Sequence, residues 1–152
     1  MKIHISPTLA QVTPDNGIGQ VVIAQHKYLP ERGFEIVPAA SADLIVCHAT
    51  KGALPRVDVL HSHGLHWDDV PHAPYGRMHL RVNREIALAA REAYAVTVPA
   101  EWVAEPFLRD MRITPTVIGH GIDIEDWQAG ENKGYILWNK NRRDDVCDPM
   151  PA

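Results

Sequence analysis

The sequence predicts an α/β fold built around a mostly parallel sheet, and two observations lead there. Short apolar runs rich in β-branched residues recur along the chain, and helix-like stretches separate several of them. That is the pattern left by buried strands joined through crossover helices. Size agrees: 152 residues suit one domain, which would bury roughly 68–70% of its unfolded surface. A second complete domain would not fit.

Taken in order, the strands are KIHIS (2–6), FEIV (34–37), DLIVCHA (43–49), DVLHSH (58–63), AVTVP (95–99) and TPTVIG (114–119). A first helix spans 17–29, where Ile18, Val21, Val22, Ala24 and Leu29 make an apolar face and Pro30 and Gly33 stop it. A second runs over 76–92, with Met78, Val82, Ile86 and Ala89 as its apolar face. On another face of that helix Arg77, Arg81, Arg84 and Arg91 form a basic stripe, read as a solvated face with pairs such as Arg81–Glu85 or as a weak contact for anionic lipid. The third helix covers 100–112. Glu101 favours its dipole, Trp102 is expected in the core, and Glu105-Pro106 should distort the first turn. One connection strains the scheme. PAASA (38–42) is too short for an ordinary parallel crossover, so it is a single turn or one flanking strand is misread.

Composition narrows the function classes. Fifteen Lys and Arg against nineteen Asp and Glu give a formal charge of −4, so there is no global basic field of the kind that holds nucleic acid, and any anion site must be local. Cys47 and Cys147 form no CxxC pair, which points away from a disulfide framework or zinc ribbon and toward a reducing cytosol. The N-terminus has no apolar signal core, and no run of ~18 apolar residues could span a bilayer. A cytoplasmic protein, or one peripheral at the inner membrane face, is expected.

The loop Asp15-Asn16-Gly17-Ile18-Gly19 opens the first helix. Glycines there let a backbone approach a phosphate closely, while the helix N-terminus offers free N–H groups and a positive dipole end. A dinucleotide site would need GxGxxG and an acid about twenty residues on. Position 22 is Val and the second strand runs out into Val37, Pro38 and Ala39, so both features are missing. A phosphate contact and a plain helix cap by Asp15 or Asn16 remain open.

DVLHSHGLHWDD (58–69) places His61, His63 and His66 within six residues of a strand end. With period-two geometry His61 and His63 share a face, at the end of the sheet where open α/β folds bind ligands. Three readings stand: a metal site from His61, His63 and His66 with Asp68 or Asp69; histidines that bond backbone; or one histidine acting on a substrate as donor, orienter or proton carrier.

The segments DNGIGQVVIAQHKYLPERGFEIV, DVLHSHG, AVTVPAEWVAEPFLR, TVIGHGIDIEDW and GYILWNKNRRD, in this order and spacing, resemble the N-terminal half of retaining, nucleotide-sugar-dependent glycosyltransferases of the GT-B architecture, the large family-four group. The resemblance covers nearly the whole chain. It implies a Rossmann-like, three-layer domain with helices on both faces of the sheet, holding the acceptor while a second such domain holds the donor. It places Gly17 and Gly19 at the donor's diphosphate and sugar, and His63 beside the donor sugar as an active-site residue. Asn16, His66, Trp67 and His120 become acceptor or cleft residues. Lys140, Arg142 and Arg143 would grip the diphosphate. No metal or other cofactor is implied, since basic groups and helix dipoles can offset the leaving group's charge. The implied partners are a nucleoside diphosphate sugar and a glycan, lipid or small-molecule acceptor.

Three departures stand out. Gly119 and His120 replace the family's Pro and Asn, Ala100 replaces a small hydroxyl residue, and the chain stops soon after YILWNK (135–140). The expected organisation is an acceptor-side domain over 1–127, a polar linker over 128–134, and over 135–152 the first strand and loop of a donor domain otherwise missing, which suggests a truncated chain inactive alone. Its orphan strand could self-associate. The alternatives are a natural stand-alone binding subunit of a split glycosyltransferase and a fragment of a GT-B sugar-nucleotide epimerase.

Overall fold

The computed structural model describes residues 1–65 and 76–122. The six strands expected within 1–122 form, as β1 (Lys2–Ser6), β2 (Glu35–Ile36), β3 (Leu44–His48), β4 (Val59–His61), β5 (Ala95–Val98) and β6 (Thr116–Val117). They make one sheet in the order β2-β1-β3-β4-β5-β6, with every pairing parallel. The chain therefore winds outward from β1 to β2 and then turns back through β3. That reversal opens a crevice between β1 and β3 at their C-terminal ends, where open α/β sheets bind ligands.

Among the described residues three α-helices cover the sheet: α1 (Gly17–Tyr28), α2 (Arg77–Glu92) and α3 (Glu101–Pro106). Register assigns them to faces. Ile3 aligns with Leu44, and Ile3 and Ile5 pack with Val22 and Ile18 of α1. Cys47, Leu60 and Val96 align across three strands on the opposite face, where they pack with Ile86, Ala89 and Ala90 of α2 and Val103 of α3. Alternating side chains thus give each face its own helix layer, and the fold is Rossmann-like α/β. Among the described residues no helix is long and apolar enough to cross a membrane.

The short connection is resolved as a single 3₁₀ turn (Ala39–Ser41). It suffices because β2 leaves the sheet after two residues, level with Lys2 and Ile3, and β3 enters level with Ile3. The chain only has to step sideways across β1, about 10 Å, with no height to recover. Val37 and Asp43 donate to the Ile3 and Lys2 carbonyls as it crosses, and His4 Nδ1 donates to the Val37 carbonyl at 3.0 Å.

Two helix expectations are corrected. Trp102 is 71% exposed, because Val103 of α3 and Phe107, four residues on at the start of the next turn, form the buried stripe and leave Trp102 about 100° round the helix. Met78 is 61% exposed; the buried residues of α2 begin at Asn83, so its first turn runs past the core. The distortion near Pro106 follows the proline: Phe107–Met111 widens into a π-helical turn closed by Arg112 in the left-handed region, φ 56°.

Candidate functional site

The strands β3, β4 and β5 end in register: His48 lies beside His61, and His61 beside Thr97. Alternation puts all three on the α1 face, and His63, two residues past His61, returns to it. His48 and His61 are buried and His63 is half-buried. The chain leaves β3 sharply, with Ala49 in the left-handed region at φ 72°. The Thr50 amide donates to the His48 carbonyl at 3.1 Å and the Ala49 amide to the His61 carbonyl at 3.3 Å, which ties both strand tips together. After His63 the chain turns at Gly64, φ 124°, a conformation that favours glycine.

Outer partners fix the imidazole protons. Gln25 Oε1 of α1 can only accept, so His48 Nε2–H donates to it at 2.8 Å. His48 Nδ1 is then a lone pair, which accepts from His63 Nε2 at 3.0 Å. The Thr97 hydroxyl donates to the Leu60 carbonyl at 3.4 Å and accepts from His61 Nδ1–H at 2.7 Å. His61 Nε2 is left as acceptor, 3.1 Å from Nε2 of His120. The rings of His61 and His63 stand edge to face with centroids 4.8 Å apart, and His120 lies 5.3 Å from His63.

Burial, followed by the charges of neighbouring rings, pushes these histidines down: His48 to about 3, His61 to about 4 and His63 to about 4. At neutral pH the cluster is a set of uncharged imidazoles that can accept, donate or ligate. Cys47 is not a nucleophile beside them. Burial raises its thiol to about 11, and it is spent on the Thr50 carbonyl at 2.8 Å.

The glycine turn sits across the crevice. Asn16 caps α1, its Oδ1 accepting from the Gly19 amide at 2.6 Å, and the first intrahelical bond runs from Gln20 to the Asn16 carbonyl. The two glycines differ. A Cβ on Gly19 would collide with the Thr13 carbonyl, whereas one on Gly17 meets nothing within 4 Å. Gly19 is therefore required by the loop itself, and Gly17 is open toward solvent. Ile18, between them, lines a cleft of about 480 Å³ with Ser6, Thr8, His48, Thr50 and Lys51.

Of the residues expected at the site, His63 and His120 are brought together with His61, and the cap and turn at Asn16, Gly17 and Gly19 stand at the neighbouring strand end. His66 and Trp67 lie outside the described residues, as do the linker, the strand beyond it, and Lys140, Arg142 and Arg143. The residues that sequence reasoning missed are His48, Gln25 and Thr97. Each is ordinary in its own segment; their signal is the β3-β4-β5 register, which the linear sequence does not display. Comparison with protein-family models, with curated proteins and with solved structures returns no match.

Proposed function

We propose that this chain is the acceptor-side domain of a nucleotide-sugar-dependent glycosyltransferase of GT-B type, working in the cytoplasm, with the C-terminal end of its sheet facing a nucleoside diphosphate sugar. The observation that carries the reading is the position of His63: beyond the tip of β4, half-buried, with its Nε2 held by His48 at 3.0 Å. A ring so held keeps Nδ1 as an acceptor for a sugar hydroxyl. With its pKa near 4, far below neutral pH, it is a poor proton donor, so its role is to orient the donor sugar. The free amides opening α1 support diphosphate contact at Gly17, and the crevice between β1 and β3 leaves room for the acceptor. Lys140, Arg142 and Arg143, by the resemblance, would neutralise the leaving diphosphate.

The test is a donor screen on the native gene product, with products read by mass spectrometry. Transfer from one nucleoside diphosphate sugar is expected, and His63→Ala should lower kcat by about 10²–10³-fold, the range for losing one hydrogen-bonding group aimed at a reacting centre. Transfer from no donor would end the reading. Near-normal turnover in the variant would end the role of His63.

A further inference from the structure

We propose that His48, His61 and His63 form a binding site for a divalent transition ion of the Zn²⁺ class, with His120 at its open side. One nitrogen from each of the three rings lies within 4.8 Å of the others. Tetrahedral Zn²⁺ with bonds of ~2.0–2.1 Å holds pairs of nitrogens about 3.3 Å apart, so small side-chain rotations close the site. His48 and His61 project from neighbouring strands in fixed register, which presents two ligands on a rigid frame.

The outer partners are those a metal site needs. Gln25 Oε1 accepts from His48 Nε2–H and Thr97 Oγ1 accepts from His61 Nδ1–H, which leaves His48 Nδ1 and His61 Nε2 as lone pairs turned toward their histidine neighbours. Such contacts to the far nitrogen set the tautomer and orientation of ligating histidines. His63 ligates through Nε2 once its proton sits on Nδ1, which in the metal-bound state donates to a sugar hydroxyl instead of accepting from it. The donor set is all imidazole and carries no hard oxygen, which favours Zn²⁺, Co²⁺, Ni²⁺ or Cu²⁺ over Mg²⁺ or Ca²⁺. Exposed His120, 3.1 Å from His61 Nε2, stands where a fourth ligand or a water would enter, the arrangement of three protein ligands with one exchangeable position.

The site goes beyond the transfer reading and is tested without nucleotide or sugar. The untagged 152-residue chain, stripped with chelator, is titrated with Zn²⁺ by calorimetry and with Co²⁺ by visible absorption. One equivalent should bind, with the intense d–d bands of tetrahedral Co²⁺. Affinity should fall at least about 100-fold in His48→Ala and in His63→Gln, and about 10–100-fold in Gln25→Ala, with His79→Gln on α2 unchanged. Circular dichroism checks each fold; half-buried His63 tolerates glutamine, so one ligand variant remains if His48→Ala fails to fold. Uptake well below one equivalent, or unchanged affinity in folded His63→Gln, would overturn the proposal.

Discussion

At the N-terminal end of the sheet buried Asp58 receives Arg56 Nε on both carboxylate oxygens, at 3.0 and 2.9 Å, and the Ile45 amide at 2.7 Å. Arg56 reaches on to the Ala42 and Asp43 carbonyls, and the Asp58 carbonyl accepts from Tyr94 and Ala95. Charge meets opposite charge, and the starts of β3, β4 and β5 are pinned together. At the C-terminal end histidine meets histidine, the rings anchored on their outer side by Gln25 and Thr97 and held uncharged by burial, beside a left-handed Ala49. Structural networks use complementary partners, whereas strained backbone and like groups with perturbed pKa values gather where a protein acts on something. The contrast separates the end that holds the fold from the end where both proposals place a ligand.

The contrast sharpens first at Gly19, since the C-terminal end also contains purely structural parts. Gly19→Ala should cost about 3 kcal/mol, because the added carbon meets backbone at Thr13 that cannot swing aside. Gly17→Ala should leave the melting temperature nearly unchanged, so thermal melts of the pair separate a packing glycine from one open to a ligand. The holding end breaks at Asp58→Ala, expected to cost about 1.5–3 kcal/mol through the lost charged hydrogen bonds and the stranded Ile45 amide. Chemical denaturation would read that loss. A pH dependence follows from the C-terminal end in the metal-free protein. The three histidines titrate below the 6.5 of the unfolded chain, so below that pH the unfolded state binds more protons. Stability present above about 6.5 is therefore lost as pH falls toward about 4, a fall in melting temperature that His63→Gln should reduce.

Much of the fold was legible because each strand announces itself locally. KIHIS and AVTV need only their β-branched runs, and α1 only its cap at Asn16 and its stop at Pro30. Strand order was not legible. Nothing within DLIVCHA says that its histidine will sit beside His61, and the site that the structure assembles depends on that pairing. Spacing brought out His61 and His63 together and the resemblance pointed to His63, while His48 became visible only through register. Trp102 was misplaced for a related reason: its size suggests the core, but the direction of the buried stripe is set by Val103 and Phe107, which the sheet selects.

The most direct test of the difference between the two ends is a nitrogen-detected NMR titration of the histidine rings in the metal-free chain. Neutral rings for His48, His61 and His63 down to about pH 4–5, with the proton of His48 on Nε2, are the predicted result. Three independent titrations near 6.5 would mean that the rings are solvated and apart, and the account of this end of the sheet would be wrong.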